Sequence, residues 1–236
     1  MVKEKNNLFM LENLYNVRDL GQITTKFGTK TRRYKYIRGT AKGTMSDKEK
    51  KFFYNLGVRV IVDLRYTNEI DKNPSPLRGY LDTKYYHVDM MGEFWQMREH
   101  GYEDMTGLYI DLLDDSQDKL LEIFKIFLKH PQEGIYFHCT AGKDRTGIVT
   151  MLLLDLVGVS HATIVENYSE SYPNNSARPG YKFIRPEWRR FILSEPEYME
   201  RTLDHLYTKY GGSRAYLSHI GLREDEINDL AATIVE

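Results

Sequence analysis

The sequence predicts an α/β fold in which a central mixed sheet carries helices on both faces. Strand-like and helix-like segments alternate along the chain, as they do in folds of this class. Two of the strand-like segments, Val58 to Leu64 and Ile135 to His138, are nearly continuous apolar runs, which favours strands covered on both faces. No linker divides the 236 residues, so we expect one domain over 1–236.

The other elements follow from capping and periodicity. Ser46 followed by Glu49 is the pattern of a capping box, and it begins a short helix that ends at Gly57. Leu120 and Phe124 belong to an apolar stripe with helical spacing. In chain order, the predicted elements are a helix at 46–55, strands at 58–64 and 85–88, a helix at about 117–129, a strand at 135–138 and helices at about 145–156, 162–170, 196–210 and 224–235.

Composition narrows the function. The chain has 33 Lys and Arg against 34 Asp and Glu, and this balance gives no reason to expect a nucleic-acid partner. A single cysteine excludes a disulfide framework. No spacing of His, Cys, Asp and Glu suggests a metal site, and we expect neither metal nor cofactor. The sequence indicates no oligomeric state.

Targeting signals are not evident in the chain as given. The first residues are not followed by the apolar segment of a signal peptide. The longest apolar run, 148–157, is too short to cross a bilayer. We therefore expect a cytoplasmic location, and secretion only if a signal peptide has been removed.

The only cysteine, Cys139, stands between an apolar strand-like segment and an apolar helix-like one. Five residues and then Arg145 follow it. A loop at such a strand-to-helix turn can form a ring of backbone N–H groups at a helix N-terminus, and such a ring binds phosphate. The run is His138-Cys139-Thr140-Ala141-Gly142-Lys143-Asp144-Arg145-Thr146-Gly147.

Residue types in this run fit phosphate chemistry. The thiolate of Cys139 is the nucleophile, and loop amides, helix dipole and nearby cations favour that form. Arg145 can hold two phosphate oxygens with its planar fork. Gly142 permits the tight backbone path and Gly147 allows close packing inside the helix. We expect Thr146 to donate to the departing thiolate and His138 to fix the start of the loop. The residues expected to contact substrate are His138, Thr140, Ala141, Gly142, Lys143, Thr146 and Gly147.

A buried, inert cysteine at the end of a core strand is the alternative interpretation, and it is the common fate of a lone cysteine. It accounts for the apolar residues before Cys139. It does not account for a glycine, a lysine, an aspartate and an arginine within the next six positions. The pattern therefore favours a catalytic loop.

The run resembles the signature of the cysteine-dependent protein tyrosine phosphatase superfamily, and its Ala-Gly-Lys-Asp-Arg form resembles the bacterial PtpB/LipA-type branch. The resemblance implies a tyrosine phosphatase-like fold and substrates that are phosphorylated proteins, with phosphoserine, phosphothreonine or phosphoinositides accepted by some members. It covers nearly the whole chain. Further matching pieces are Asn16-Val17-Arg18-Asp19-Leu20-Gly21, Arg38-Gly39, Val62-Asp63-Leu64-Arg65 with Glu69, Asn167-Tyr168 and Gly221-Leu222.

Lys143 bears on substrate choice. Phosphoinositide phosphatases that resemble the tensin-like lipid enzymes carry a lysine at this loop position, and a second cation at the rim would attract a multiply phosphorylated substrate. An ion pair with a neighbouring carboxylate, made for loop structure, is the alternative interpretation. Arg38, Asp63 and Arg65 are expected to support the loop rather than to touch substrate.

Two aspartates are candidates for the general acid. Asp89 follows the strand at 85–88, as the mobile-loop aspartate does in much of the superfamily. Asp144 lies inside the loop beside Arg145 and belongs to the lysine-aspartate pair of the PtpB/LipA-type branch. We favour Asp144 slightly, although it could instead orient Arg145 or Lys143.

The segment 171–190 is a candidate lid or insertion. It carries Arg178, Arg185, Arg189 and Arg190 among aromatic residues. It could cover the site or touch an anionic membrane surface transiently, but an ordinary loop with solvated cations is the interpretation we favour.

Three function classes fit a cysteine in a phosphate loop. The first is a phosphatase that forms a phosphocysteine. An arsenate reductase would need further cysteines, which the chain lacks. A non-catalytic phosphate- or phosphoinositide-binding module would not require the thiol together with the arginine.

Overall fold

The computed structural model describes residues 2–5, 7–41, 44–90, 101–178, 181–185 and 189–236. Within this part, one sheet contains seven strands. They are β1 (Lys3–Lys5), β2 (Leu8–Met10), β3 (Arg18–Asp19), β4 (Tyr36–Thr40), β5 (Val58–Asp63), β6 (Lys84–His87) and β7 (Gly134–Cys139). Their order across the sheet is β1-β2-β3-β4-β7-β5-β6.

Helices fill the connections between these strands and the C-terminal part of the chain. They are α1 (Asp47–Asn55), α2 (Thr67–Lys72), α3 (Met105–Asp115), α4 (Gln117–Lys129), α5 (Asp144–Leu156), α6 (His161–Ser169), α7 (Ser171–Asn175), α8 (Arg189–Ile192), α9 (Pro196–Tyr210), α10 (Ser213–His219) and α11 (Glu224–Ile234). A short 3-10 helix spans Tyr181–Phe183. None of the helices in the described ranges has the length and apolarity that a membrane span requires.

The sheet is mixed, as predicted. β4, β7, β5 and β6 pair in parallel, whereas β1 to β4 pair antiparallel. Thr40 lies beside Cys139, and Asp63 lies beside His138. Because parallel strands end at the same edge, the carboxyl ends of β4, β7 and β5 meet there.

Both faces of the sheet are covered. Successive side chains of β7 alternate between the two faces: Phe137 packs in the larger core with α3 to α6 and α9 to α11, whereas Tyr136 packs with Phe53 of α1 in a smaller core. Both side chains are at most 2% exposed. Full burial of one such ring stabilises the fold by about 2–3 kcal/mol. The predicted helices on both faces are confirmed.

Several predicted elements are observed with small shifts. α4 has the predicted bounds, and α1 begins with the predicted capping box, in which Ser46 Oγ accepts from Glu49 N and Glu49 Oε2 accepts from Ser46 N. Gly57 adopts φ +89°, as a residue that ends a helix often does. The strands β1 to β4 and the helices α2, α3, α7, α8 and α10 were not predicted.

Candidate active site

Cys139 is the last residue of β7, and α5 begins at Asp144. Neighbouring strands hold this point of the chain: Ala41 N donates to Cys139 O at 2.8 Å, and Leu64 N donates to His138 O at 2.8 Å. Only 1% of Cys139 is exposed. The thiol therefore lies at the bottom of the connection between β7 and α5, in a position fixed by the sheet.

Side chains from outside the loop bind its carbonyl groups. Because the C=O and N–H of a trans peptide point in opposite directions, these bonds turn the following amides toward the inside of the loop. Inward amides form an anion cradle. The donors are Arg178 Nη1 to Thr140 O (3.2 Å), Asn175 Nδ2 (2.9 Å) and Asn16 Nδ2 (3.1 Å) to Ala141 O, and Asn16 Nδ2 (3.1 Å) and Arg38 Nη2 (2.7 Å) to Gly142 O.

The two loop glycines differ in whether a larger residue could replace them. Gly142 has φ +61°, and a Cβ there would run into the carbonyl group of Gly39. A Cβ at Gly147 would meet Tyr168 at 3.5 Å and Met199 at 3.8 Å, which is ordinary contact. Gly142 is therefore needed for the loop path, as predicted, whereas the predicted close packing at Gly147 is wrong.

Arg145 is fixed by Glu69 of α2. Its Nη1 and Nη2 donate to the two Glu69 oxygens at 2.7 and 3.3 Å, and Nη1 lies 3.3 Å from Leu64 O. The hydroxyl of Thr140 donates to the same carboxylate. Burial alone would lower the pKa of Arg145, but the charges of Cys139 and Glu69 outweigh it and raise that pKa. Arg145 is thus a permanently charged, oriented cation at the loop.

Arg38 and Arg18 form a second layer behind the loop. Arg38, which is fully buried, donates to Gly142 O and also to Asn167 Oδ1 at 2.8 Å. Arg18 donates to Asn167 O at 2.5 Å and to Glu170 at 2.8 Å. Burial lowers the pKa of both guanidinium groups. The bond from Arg38 to Gly142 O gives this arginine the supporting position that was predicted.

Asp63 and Arg65 pair at the end of β5. Arg65 donates to both Asp63 oxygens, at 2.8 and 2.6 Å, and Tyr85 donates to Asp63 at 2.8 Å. Burial opposes the charged form of Asp63, but His138 and the paired Arg65 lower its pKa to about 2. This pair braces the strand beside β7 and is placed behind the loop.

His138 lies on the opposite face of β7 from Cys139, because adjacent strand residues alternate. Its ring packs 5.2 Å from that of Tyr136, and Nδ1 is 3.6 Å from Asp63 Oδ1. Burial lowers the pKa of His138 to about 4. The structure thus places this ring under the start of the loop, away from the substrate contact that the sequence suggested.

Lys143, which is buried, forms an ion pair with the partly exposed Asp144. Lys143 Nζ lies 2.6 Å from Asp144 Oδ1, and the lysine is only 2% exposed. Tyr109 of α3 donates to the same carboxylate oxygen at 2.6 Å. Of the two interpretations of Lys143, the structure shows the ion pair with a neighbouring carboxylate. The predicted rim position is wrong, because a buried ammonium group cannot reach a second phosphate.

The chain was compared with models of known protein families. The model of the tyrosine phosphatase family matches residues 9–236. The chain belongs to the tyrosine phosphatase family.

Proteins similar to this chain are named phosphatases. A tyrosine-protein phosphatase of Nostoc commune is 31% identical over 215 residues, which cover 83% of this chain and 72% of that protein. The triple specificity protein phosphatase PtpB of Mycobacterium tuberculosis is 31% identical over 120 residues, 42% of each chain. The crystal structure of TpbA of P. aeruginosa aligns with a TM-score of 0.36 and 11% identity over 58% of this chain and 68% of that one.

The two candidate acids of this phosphatase have different surroundings. Asp89 Oδ2 accepts hydrogen bonds from the backbone and the hydroxyl of Thr67, at 3.0 and 3.1 Å. These bonds place Asp89 at the N-terminus of α2, where a carboxylate stabilises a helix. Asp144 stands at the loop itself, with 22% of its side chain exposed.

Thr146 of the phosphatase is fully buried on the first turn of α5. Its hydroxyl has no hydrogen-bond partner among the residues that the structure describes. A buried hydroxyl without a partner costs about 1–3 kcal/mol. The structure shows no hydrogen bond from this hydroxyl to the sulfur of Cys139, and its predicted role toward that sulfur stays a prediction.

Part of the segment 171–190 supports the loop of the phosphatase through Asn175 and Arg178. Burial raises the pKa of Tyr181, to which the charges of Asp144 and Cys139 add. Phe183 is 86% exposed. Residues 179–180 and 186–188 lie outside the described residues, and a role of the segment as a lid stays a prediction.

Sequence reasoning did not single out some residues that the site uses. Asn16 and Glu69 stood only among the matching family pieces. Glu69 accepts from Tyr66 N at 2.9 Å at the start of α2, but Tyr66 is not the serine or threonine that marks a capping box in a sequence. Asn175 and Tyr109 gave no signal, because their partners lie 34 and 35 positions away in the chain.

We expect Gly142→Ala to lower kcat at least about 100-fold and to destabilise the fold by about 1–3 kcal/mol, because the new Cβ meets backbone at a positive φ. Gly147→Ala is the matched control. Its methyl has room, and alanine favours the helix by about 0.5–1 kcal/mol, so we expect a melting temperature no lower than that of the wild type. Thermal melts and steady-state kinetics on an aryl phosphate check both. Equal losses in the two variants would contradict the assignment of the loop path to Gly142.

We expect the free energy of unfolding to fall between pH 6.5 and pH 4.5 because of His138. The unfolded chain takes up a proton near pH 6.5, whereas the folded histidine resists protonation until about pH 4. The folded state therefore loses about 2 kcal/mol between pH 6.5 and 4.5. Urea unfolding at several pH values should show this slope in the wild type and a flatter one in His138→Gln. Parallel slopes would rule out His138 as the cause.

Proposed function

We propose that this phosphatase hydrolyses phosphotyrosine in proteins through a phosphocysteine formed on Cys139. The observation that supports the proposal most is the loop itself. Its carbonyls are bound from outside by four side chains, its thiol ends a central strand, and its arginine is oriented by Glu69. This arrangement binds a tetrahedral anion above a sulfur nucleophile.

The first step transfers the phosphoryl group to sulfur. The thiolate of Cys139 attacks phosphorus in line with the leaving tyrosine oxygen, so that an S–P bond forms as the P–O bond breaks. Arg145 and the loop amides hold the other three oxygens while their charge shifts. Asp144, which must first take up a proton despite its ion pair with Lys143, gives that proton to the tyrosine oxygen, which leaves as a neutral phenol.

The second step reverses these roles. Water attacks the phosphocysteine and gives a proton to Asp144, so that phosphate and thiolate are released. The hydroxyl of Thr146 donates to the departing sulfur. Every proton is returned, and Cys139 and Asp144 are restored to their starting states.

The names of the relatives support phosphotyrosine as the first substrate class. The name of the mycobacterial relative, a triple specificity protein phosphatase, supports more than one substrate class, and we include phosphoserine and phosphothreonine in the proposal.

Phosphoinositides are a second substrate class that we propose, on the arginine-rich segment 171–190 and not on Lys143. Lys143 is buried and does not supply a rim cation. Beside the loop, however, Phe183 projects into solvent together with the exposed Arg185, Arg189 and Arg190. An exposed aromatic residue among cations fits a transient contact with an anionic membrane surface.

Cys139→Ser should abolish turnover of a phosphotyrosine peptide, a drop of at least about 1,000-fold, because the hydroxyl does not ionise near neutral pH. Phosphate binding should persist, since the amides and Arg145 remain. Phosphate release from peptide and from phosphoinositide vesicles, with chelator present, measures the first expectation. Calorimetric titration with inorganic phosphate measures the second. Turnover retained in the variant would refute the phosphocysteine.

The general acid is tested by Asp144→Asn and Asp89→Asn on aryl phosphates with a good and a poor leaving group. Loss of the acid should slow the poor leaving group about 100-fold or more, spare the good one, and remove the basic limb of the pH profile. We expect this pattern for Asp144→Asn only. Discrimination by Asp89→Asn instead, with Asp144→Asn slowing both substrates alike, would assign the acid to Asp89.

A further inference from the structure

The hydroxyl of Tyr109 contacts two residues of the loop, Asp144 and Lys143, and the buried Tyr168. Its hydroxyl is 2.6 Å from Asp144 Oδ1, 2.7 Å from the hydroxyl of Tyr168 and 3.3 Å from Lys143 Nζ. Tyr109 belongs to α3, which is separate in sequence from the loop. The contact therefore joins the loop to a helix that packs against α5.

The hydrogen-bonding capacity of Tyr109 fixes the direction of each bond. A tyrosine hydroxyl has one proton to donate and can accept with its lone pairs. Lys143 can only donate, and the carboxylate of Asp144 accepts. The Tyr109 proton therefore goes to Asp144, and Tyr168 donates to Tyr109.

Both tyrosines are held rigidly in this arrangement. Tyr109 is fully buried, Tyr168 is 1% exposed, and their rings meet edge to face with centroids 5.7 Å apart. Burial, followed by the charge of Asp144, raises the pKa of both well above that of an exposed tyrosine. The phenol of Tyr109 consequently stays protonated and keeps its role as a donor.

The two oxygens of Asp144 are thereby made different. Oδ1 accepts from both Tyr109 and Lys143. No residue in the described ranges donates to Oδ2. Since two donor protons already point at Oδ1, a proton carried by the carboxyl group is placed on Oδ2.

We infer that Tyr109 is a positioning residue for the acid-base step: its hydroxyl holds Oδ1 of Asp144 and leaves Oδ2 to exchange the proton with the leaving group. This inference rests on the proposed role of Asp144. Lys143 alone would not fix the carboxyl plane, because its four-carbon chain is flexible. The rigid ring of Tyr109 supplies the direction.

Tyr109→Phe removes the hydroxyl and keeps the ring. We expect kcat for an aryl phosphate with a poor leaving group to fall about 10-fold, part of the 100-fold or more that a general acid contributes. With a good leaving group, the loss should stay below about threefold, since protonation then matters little. KM should change less than about twofold, because the hydroxyl does not touch the phosphate site.

Tyr216→Phe is the matched control for a merely structural effect. Tyr216 is fully buried, and its hydroxyl donates to Leu113 O of the same helix, α3, at 2.6 Å. We expect a loss of melting temperature similar to that of Tyr109→Phe and an unchanged ratio of the two leaving-group rates. The same ratio change in both variants would overturn the positioning role.

A double-mutant cycle with Asp144→Asn separates the inference from the proposed function. If Tyr109 acts through Asp144, adding Tyr109→Phe to Asp144→Asn should cost less than about twofold on the poor leaving group. A further loss of about 10-fold in the double mutant would overturn the inference. If Asp144→Asn leaves the leaving-group ratio unchanged, the proposed acid is wrong as well.

Tyr168→Phe provides a second variant in case Tyr109→Phe does not fold. It removes the donor that orients the Tyr109 hydroxyl and leaves the bond to Asp144. We expect a smaller change of the leaving-group ratio in the same direction, about threefold, in line with the worth of one neutral hydrogen bond. An unchanged ratio in every tyrosine variant that folds, with Asp144→Asn discriminating, would overturn the role of Tyr109 alone.

Discussion

A loop can present its amides to an anion only when other groups take up its carbonyls. Here those groups are side chains from distant parts of the chain: Asn16 before β3, Arg38 in β4, and Asn175 and Arg178 after α6. Each buried carbonyl left without a donor would cost about 1–3 kcal/mol. The shape of the loop therefore depends on the sheet pairing of β4 with β7 and on the packing of α7 against the loop.

Burying Arg18 and Arg38 for this purpose is costly, because a desolvated cation is stable only with partners. Asn167, through its backbone and its side chain, joins the two guanidinium groups, and Glu170 neutralises Arg18. Residues of α6 and its C-terminal end thus hold arginines that come from the N-terminal strands. In the sequence, Asn167-Tyr168 and Arg38-Gly39 are separate pieces that match the family. The hydrogen bond from Arg38 to Asn167 shows that these two pieces contact each other in the fold.

The sequence predicted the elements with strong local signals. α4 has a sustained apolar stripe, and β5 and β7 are nearly continuous apolar runs, so the hydrophobic pattern alone identifies them. β4 was missed because its five residues include a buried Arg38 and Gly39, which follow neither alternation nor an apolar run. α3 was missed because Gly107 and three aspartates weaken its stripe, and its cap, Asp104, lies in a stretch without other signals.

The proposed catalytic loop could be located from the sequence, because its cysteine, glycine and arginine lie within ten consecutive positions. The partners of those residues were not, because they are brought together only by the fold. Glu69 lies 76 positions before Arg145, and Tyr109 lies 35 before Asp144.

Lys143 shows the consequence of this difference. The ammonium group of Lys143 binds Asp144 and Tyr109 in the interior. An exposed ammonium group would instead have been available to bind substrate. Both cations of the loop are thus bound to carboxylates, Arg145 to Glu69 and Lys143 to Asp144. Under the proposed function, an incoming phosphate would therefore meet the loop amides and the Nη2 side of Arg145, which Glu69 holds at the longer distance of 3.3 Å.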